Sequence, residues 1–267
     1  MRRFHLFEWE DQRWLPPVFR DFITDHLRYT MNEPMRRPVN LEIANRLKAV
    51  LERTRSSRIV DLCAGAGGPL VAISRLLFHD LGVPVEIVVT DLYPNIAAFE
   101  RLETESGGTI TGRYESTSAT DVPLELSGLR TVFTALHHFT PDQARLVLAD
   151  AVRKRQAIAV FEPLERTVRM VVLLGVMSFV RGFTHTPRVG KLTIGRFVVT
   201  YLFPVAPLVF AWDGMVSALR SYTSDELGSL ARSVGGDYRW EAGRFDVAGP
   251  FGNMPTIYLL GTPAAVA

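Results

Sequence analysis

Short apolar runs rich in β-branched residues alternate with amphipathic segments between residues 57 and 162, and this alternation restricts the fold most. The runs RIVDL, VEIVVTDL, TITGRYES, LRTVFTAL and QAIAVFEP predict five strands. The clearest helix start lies at Thr140, because Pro141 follows it and Gln143 completes a capping box. Strands and helices in this order predict right-handed βαβ units and a parallel sheet covered by helices on both faces.

The alternation stops after Glu162 and resumes at Thr223, where Glu226 completes a second capping box. Two further strands close the chain and are expected to pair antiparallel with each other. The sequence therefore predicts an α/β, Rossmann-like sheet of seven mostly parallel strands, with a helical apolar insertion. The predicted parts are an N-terminal helical cover, the core, an apolar and basic insertion that serves as a lid or substrate cover, and the C-terminal part of the core sheet: 1–56, 57–162, 163–221 and 222–267.

Charge and cysteine content exclude several classes of protein. The formal net charge is only +2, so the chain is not a polycation suited to coating nucleic acid. A single cysteine, Cys63, excludes an internal disulfide framework and a cysteine-rich zinc site. Acidic residues follow Arg2 and Arg3 where a signal peptide would be apolar, so we expect a cytoplasmic protein.

The stretch VDLCAGAGG places an acid and three glycines between the first strand and the first helix of the core. Glycines at such a turn let the backbone approach a ligand. The carboxylate of Asp61 would repel a pyrophosphate but attract an ammonium or a sulfonium. Asp91 ends the second strand, where a carboxylate can accept hydrogen bonds from ribose hydroxyls, and Asp121 follows the third strand, where it could accept from an adenine amino group.

Four stretches in order, VDLCAGAGG, VVTDLY, SATDVP and FTALHHF, resemble the motif series of class I S-adenosylmethionine-dependent methyltransferases. The resemblance covers residues 57–162, with a matching tail at 222–262, and it makes 57–162 the cofactor-binding core. Cys63 departs from the pattern, because the family often has a glycine there. The resemblance assigns the methionine end of the cofactor to Asp61, Gly65 and Gly67, and the ribose to Asp91. It assigns the adenine to Leu92 and Asp121, and the sulfonium to Thr134 and Ala135.

The HHF ending of the fourth strand resembles small-molecule methyltransferases, since nucleic-acid amino-methylating enzymes carry an Asn- or Asp-Pro-Pro-aromatic run there. His137 and His138 are the candidate general bases. Alternation along a strand favours His138, with His137 pointing inward. Glu162 ends the fifth strand and could bind substrate, orient a histidine or pair with Arg166.

Other candidates lie in and after the insertion. Trp212 and Tyr222 are candidates for the wall of the substrate pocket. Asp213 is expected to form a structural ion pair with Arg220 or Arg196, because a charge among apolar residues needs a partner. No cluster of His, Asp and Glu has metal-ligand spacing, so no metal site is predicted.

The apolar insertion leaves three alternatives open. The first is a transmembrane hairpin, but the runs MVVLLGVMSFV and FVVTYLFPVAPLVFAW are shorter than a membrane span, and Pro204 and Pro207 break the second run. Residues 170–212 could instead lie on an anionic membrane surface as a peripheral contact. The favoured alternative is a lid over an apolar substrate.

The expected function is therefore methyl transfer from S-adenosylmethionine to oxygen, nitrogen or carbon of a small or medium-sized apolar molecule, such as a secondary metabolite or a lipid- or isoprenoid-like compound. Two alternatives stay open. One is a nucleic-acid methyltransferase, and the other is a non-catalytic protein that binds the cofactor or a membrane. The oligomeric state is not predicted.

Overall fold

The computed structural model describes residues 1–249 and 252–264, and its central feature is one sheet of seven strands. The predicted C-terminal part, 222–267, thus includes residues 250–251 and 265–267, which lie outside the described residues. The strands are β1 (Arg58–Asp61), β2 (Glu86–Val89), β3 (Ile110–Gly112), β4 (Leu129–Phe133), β5 (Ile158–Glu162), β6 (Tyr238–Gly249) and β7 (Gly252–Pro263).

The strand order is β3-β2-β1-β4-β5-β7-β6. Strands β1 to β5 are parallel to one another, whereas β7 runs antiparallel to both β5 and β6. The predicted seven-stranded, mostly parallel sheet is confirmed, including the antiparallel closing pair. Because the order reverses direction next to β1, the crevice beyond the carboxyl ends of β1, β2 and β4 is the place where open α/β sheets bind ligands.

Nine α-helices are assigned in the described residues: α1 (Pro17–Met31), α2 (Arg37–Thr54), α3 (Leu70–Arg75), α4 (Ile96–Glu105), α5 (Pro141–Arg153), α6 (Val168–Thr184), α7 (Ile194–Phe197), α8 (Val205–Arg220) and α9 (Ser224–Val234). Two of them continue as a π-helical turn, α3 through Leu76–Asp80 and α7 through Val198–Leu202. Both predicted capping boxes are present, at the starts of α5 and α9.

The chain divides into two compact units. The sheet unit comprises Asn32–Pro163 and Thr223–Ala267, and the helical unit comprises Met1–Met31 and Leu164–Tyr222. The first division differs from the predicted boundary at residue 56, because α2 belongs to the sheet unit. Its apolar face, represented by Ile43 and Leu47, is buried in one cluster with Ile59 of β1, so hydrophobic burial fixes this helix on the sheet.

The helical unit is held together by close packing of α6 against α8. Gly175 and Gly182 lie on the contact face of α6, where an added Cβ would fall 2.8 Å from Met215 and 2.9 Å from Pro207. The N-terminal segment is fastened to α8 by polar contacts, since the carboxylate of Asp213 accepts the backbone N–H groups of Trp9 and Glu10.

The ion pair predicted for Asp213 is therefore wrong. Arg220 instead pairs with Asp11 at 2.6 Å, and Arg196 pairs with Asp25 at 2.7 Å. Two backbone N–H groups satisfy the buried carboxylate in place of a cation, and burial raises the pKa of Asp213 to about 7.

Within the described residues, no individual helix combines the length and hydropathy of a membrane span. Ile194–Leu202 and Val205–Arg220 reach that length and hydropathy only as a pair, and the two segments meet at an angle of 73°.

Candidate active site

The loop after β1 bends through four residues with positive φ. Cys63 has a φ of 58°, and Gly65, Gly67 and Gly68 have values of 53°, 93° and 42°. At Gly67 a side chain is excluded, because an added Cβ would fall 2.5 Å from Cδ1 of Leu102. At Gly65 no atom lies within 4 Å of such a Cβ, so the backbone there faces open space. The loop thus offers a bare backbone surface to a ligand, as the glycine pattern predicted.

Asn32 supports this loop from outside the motif. Its Nδ2 donates to the carbonyl oxygen of Gly68 at 2.6 Å, and its Oδ1 accepts from the backbone N–H of Ala72 at 3.0 Å. One amide group therefore ties the end of the loop to the first turn of α3. No sequence pattern marks this residue, because it lies in a connecting segment far from the motif along the chain.

Asp61 is fully enclosed at the carboxyl end of β1. Its Oδ1 accepts from the hydroxyl of Thr131 at 2.6 Å, which is possible because Asp61 and Thr131 are paired in register on β1 and β4. Burial raises the pKa of Asp61 to about 8, opposed by the Thr131 hydrogen bond and reinforced by the charge of Asp91. Thr131 was missed from the sequence, although a hydroxyl within the apolar strand β4 was a usable signal.

Asp91 follows β2, the neighbour of β1, and binds the glycine loop. Its Oδ2 accepts from the backbone N–H of Gly65 at 2.9 Å, and its Oδ1 accepts from that of Tyr93 at 2.8 Å. Burial raises the pKa of Asp91 as well. A carboxylate has about four acceptor positions, so that of Asp91 can accept a further donor such as a ribose hydroxyl. Leu92, the predicted adenine contact, is 46 % exposed.

Asp121, the predicted adenine contact, binds a cation of the protein, and its contact with adenine stays a prediction. Its carboxylate is exposed and accepts from Nζ of Lys154 at 2.6 Å, which lowers the pKa of Asp121. Lys154 follows the C-terminal end of α5. Val122, the residue after Asp121, donates its N–H to Asp150 of α5. The ion pair therefore joins Asp121 to the end of α5.

An earlier part of the same loop lies beside the predicted ribose and adenine positions. The hydroxyl of Ser116 donates to the carbonyl oxygen of Leu92 at 2.7 Å, and the N–H of Thr117 donates to that of Asp91 at 2.8 Å. Ser118 follows directly and is half-buried. Residues 116 and 117 are thus hydrogen-bonded to the main chain of the two residues predicted to hold the ribose and the adenine.

The chain leaves β4 through a strained residue. Strand β4 ends at Phe133, and Thr134 has a φ of 52°, which is unusual for a β-branched side chain. Its N–H still donates to the carbonyl oxygen of Phe161 on β5, so the conformation is held by the sheet. Ala135 is buried next to it. Strain of this kind is concentrated at binding sites, which agrees with the position assigned to these two residues.

His137 and His138 lie on a 3₁₀ turn, Leu136–His138, and not on the strand. The reason given for preferring His138, strand alternation, therefore does not apply. The burial nevertheless differs as predicted, because His137 is 1 % exposed and His138 is half-buried. The two rings lie 4.3 Å apart between centroids. His138 is also close enough to Asp91 for its positive charge to oppose the upward shift in the pKa of Asp91.

Glu162 orients a histidine, which is one of the roles considered for it. Its Oε2 lies 2.9 Å from Nδ1 of His137, and its Oε1 accepts the backbone N–H of His137 at 3.1 Å. This fully buried carboxylate thus fixes both the ring and the main chain of the turn. Arg166, the alternative partner, donates to the carbonyl oxygens of Met1 and Ser221.

Trp212 and Tyr222 belong to the helical unit. The indole N–H of Trp212 donates to the carbonyl oxygen of Phe7 at 3.0 Å, and the guanidinium of Arg3 lies 4.1 Å from the ring centre of Tyr222. Both side chains therefore stabilise the N-terminal segment. Their part in substrate binding stays a prediction.

Comparison with solved structures identifies the fold. No protein-family model matches the sequence, and no curated protein matches it significantly. The CMeT domain of the citrinin polyketide synthase aligns with a TM-score of 0.55 and 15 % identity over 97 % of this chain. A candidate O-methyltransferase from Nostoc punctiforme PCC 73102 aligns with a TM-score of 0.50 and 14 % identity, also over 97 % of this chain. The alignments span 60 % and 64 % of those two chains. The chain has the class I methyltransferase fold.

Proposed function

We propose that this protein is an S-adenosylmethionine-dependent methyltransferase. The observation that carries the proposal is the pair of carboxylates, Asp61 and Asp91, at the carboxyl ends of adjacent strands around a glycine loop. Burial raises the pKa of both groups, so a positively charged ligand would stabilise the ionised form of each carboxylate. A ligand with an ammonium, a sulfonium and a ribose diol satisfies both carboxylates, whereas a pyrophosphate would be repelled. The donor set therefore fits this cofactor.

The residues that would hold the cofactor are proposed from this geometry. Asp61 and the loop from Gly65 to Gly67 would bind its methionine end, Asp91 its ribose, and Leu92 with Ser118 its adenine. Thr134 and Ala135 would lie at the sulfonium. When bound, S-adenosylmethionine supplies an activated methyl group, because its sulfonium sulfur can leave as the thioether of S-adenosylhomocysteine when an acceptor atom bonds to the methyl carbon.

The chain's own contribution to the chemistry centres on the two histidines. We assign His138 as the base that accepts the proton of an acceptor hydroxyl, since an imidazole can do so near neutral pH. Glu162 is a positioning residue, because it holds the buried ring of His137 against His138.

The role of Glu162 is tested by Glu162→Gln. The glutamine keeps a side-chain oxygen that can accept the backbone N–H of His137, but it lacks the carboxylate charge beside the ring of His137. We expect kcat to fall about 10-fold or more and its pH profile to shift, with unchanged affinity for S-adenosylhomocysteine. An unchanged pH profile would assign Glu162 a purely structural role.

The acceptor is proposed to be a small or medium-sized apolar molecule. This rests on the apolar and basic insertion 163–221, whose function as a lid stays a proposal, and on the likeness to a domain of a polyketide synthase. Two observations weigh against a nucleic-acid substrate: the net charge of +2 and the absence of an Asn- or Asp-Pro-Pro-aromatic run after β4.

The direct test measures calorimetric binding of S-adenosylhomocysteine to the wild-type chain and two matched variants. We expect Asp91→Ala to weaken binding at least 10-fold, because two hydrogen bonds to a charged acceptor are lost. Asp121→Ala removes the same group from the neighbouring loop and should leave the affinity unchanged. Absence of binding to the wild-type chain, or equal loss in both variants, would refute the proposal.

Turnover on a panel of apolar phenols and acids then separates the alternatives. Methylation of a panel member supports the proposed function. Cofactor binding without turnover on any acceptor favours the non-catalytic alternative. Tight, salt-sensitive binding to RNA or DNA favours the nucleic-acid alternative.

We also propose that the helical unit makes a peripheral contact with an anionic membrane through residues 170–212. Val172, Val176 and Val180 are exposed at four-residue intervals along α6, and Ile194 and Phe203 are 86 % and 61 % exposed. The rings of Phe183 at the end of α6 and of Tyr201 are in contact, so the exposed valines of α6 end beside the segment that carries Ile194 and Phe203. The combination of exposed apolar and basic side chains matches a lipid surface with negative headgroups.

Co-sedimentation with vesicles of phosphatidylglycerol and phosphatidylcholine tests this contact. We expect Ile194→Ser combined with Phe203→Ser to abolish binding, because the inserted apolar area is lost. Leu124→Ser is the control, since Leu124 is 74 % exposed on the sheet unit. Equal binding of all three proteins, or binding independent of phosphatidylglycerol, would contradict the proposal.

A further inference from the structure

A second concave site lies at the opposite edge of the sheet unit from Asp61 and Asp91. It has a volume of about 680 Å³ and lies at the amino-terminal ends of β1, β2 and β4. We name it the arginine groove after five of its lining residues: Arg53, Arg55, Arg58, Arg155 and Arg239. Its volume is that of a site for a small ligand.

The charge of this groove is not balanced by the protein. Among the described residues that line it, Glu86 is the one acid, and Arg58 pairs with it at 3.0 Å. The guanidinium groups of the other four arginines are exposed and make no hydrogen bond or ion pair with any residue that the structure describes. Four uncompensated positive charges around one concavity stand out in a chain whose net charge is only +2.

Two of these arginines occupy positions that favour glycine. Arg55 follows α2 and has a φ of 53°, and Arg155 follows α5 by two residues and has a φ of 52°. Helices commonly end in glycine at such left-handed positions, because a Cβ is strained there. A basic residue near a helix C-terminus is favoured by the helix dipole. Arg53 and Arg153 already lie in the last turns of these helices, so the dipole does not account for the strained pair.

We infer that the arginine groove binds a small soluble anion carrying two or more phosphate groups. A guanidinium donates two parallel hydrogen bonds to a phosphate, and the strained loops hold Arg55 and Arg155 in the groove. The hydroxyls of Ser57 and Ser127, which also line it, can donate to the remaining oxygens. The confined volume and the small net charge favour such a ligand over a polynucleotide, which needs an extended basic track. This inference does not rest on the proposed function.

The test measures calorimetric binding of tripolyphosphate to the full chain in 50 mM and 200 mM salt. We expect saturable binding that weakens with salt, and a loss of at least 10-fold in affinity in Arg55→Gln combined with Arg155→Gln. The control is Arg75→Gln combined with Arg145→Gln, which removes the same charge from exposed sites on α3 and α5. It should bind tripolyphosphate almost as the wild-type chain does.

A second pair of variants separates ligand binding from folding. Arg55→Gly combined with Arg155→Gly relieves the left-handed strain, so we expect a melting temperature equal to or above that of the wild-type chain. The same protein should lose tripolyphosphate binding. An equal or higher melting temperature together with a loss of tripolyphosphate binding supports a binding role for these arginines.

Several results would overturn the inference. They are absence of tripolyphosphate binding at low salt, equal loss of affinity in the control variant, or a lower melting temperature in the glycine variant with its affinity retained. Binding confined to oligonucleotides or to phosphatidylglycerol vesicles would also overturn it, because the ligand would then be a polymer or a lipid surface.

Discussion

Replacing Asp61 by Asn should make this protein more stable in alkaline solution and at the same time prevent it from binding its cofactor. The carboxylate is fully buried, and asparagine keeps its shape and the oxygen that accepts from Thr131. The substitution therefore removes a buried titrating group with little change in packing. It also removes the charge that we propose for binding the ammonium end of S-adenosylmethionine.

The magnitude follows from the raised pKa. In the unfolded chain Asp61 ionises near 3.8, whereas burial raises its pKa in the folded chain to about 8. Between these values the folded state binds more protons than the unfolded state, so stability falls as the pH rises. At about 1.4 kcal/mol per pKa unit, the loss between pH 5 and pH 8 is about 4 kcal/mol at most. Local water entry reduces this, so about 1–3 kcal/mol is expected.

Thermal unfolding of the wild-type chain and of Asp61→Asn at pH 5 and pH 9 measures this difference. We expect the variant to gain several degrees relative to the wild-type chain on going from pH 5 to pH 9, since 1 kcal/mol shifts the midpoint by about 2–4 °C in a chain of this size. Asp142→Asn is the control, because the side chain of Asp142 is 88 % exposed and pairs with Arg145 at the surface. Its effect should be small and the same at both pH values.

The reasoning also predicts proton release on cofactor binding. A cationic ligand favours the ionised form of Asp61, so the affinity for S-adenosylmethionine should rise with pH up to about 8. Calorimetry in two buffers of different ionisation enthalpy measures the released proton directly. The argument is refuted if Asp61→Asn is equally destabilised at both pH values, or if it binds the cofactor as tightly as the wild-type chain.

Two further predictions concern buried charges outside this site. Arg130→Met removes the guanidinium that lies 2.8 Å from the buried carboxylate of Asp150, and it should destabilise the sheet unit by about 2 kcal/mol in urea unfolding, because Lys154 still pairs with that carboxylate; Asp150→Leu should cost more, since it also removes the acceptor of the Val122 N–H, and an equal cost in both variants would contradict this account. Burial lowers the pKa of His26 to about 4 from 6.5, so stability should fall as the pH drops from 6.5 to 4, by about 3 kcal/mol at most. In His26→Gln the urea midpoint of unfolding should change less between pH 6.5 and pH 4 than in the wild-type chain. An unchanged slope would mean that other groups cause the loss of stability.

The fold and half of the site were accessible from the sequence because they depend on local patterns. Alternating apolar runs identify buried parallel strands, and the capping boxes at Thr140 and Thr223 mark two helix starts whose hydrogen bonds are made within four residues. Asp61 and Asp91 were expected at one edge of the sheet because each lies at the end of an apolar run, and they lie at and just beyond the ends of β1 and β2; their contact with a cofactor stays a prediction. The carboxyl ends of parallel neighbours must meet at one edge of the sheet.

Prediction from the sequence is weakest where long-range contacts decide the position of a side chain. Asp121 was expected at the cofactor because it follows β3, and its carboxylate binds Lys154, which lies 33 residues further along the chain. Asp213 was expected to need a cation, but backbone N–H groups from the other end of the helical unit satisfy it. Hydrogen-bond partners so distant in sequence leave no periodic signal.

The sequence alone determined the class of fold, the order of its strands and the helix starts at Thr140 and Thr223, because these depend on hydrophobic periodicity and on capping chemistry within a few residues. Only the tertiary structure decided that α2 belongs with the sheet, that Asn32 supports the glycine loop and that Glu162 holds His137. It also decided that two arginines from separate helix ends share one groove. Each of these contacts joins segments that approach only when the sheet is assembled, and packing between such segments is what fixes the positions of their polar groups.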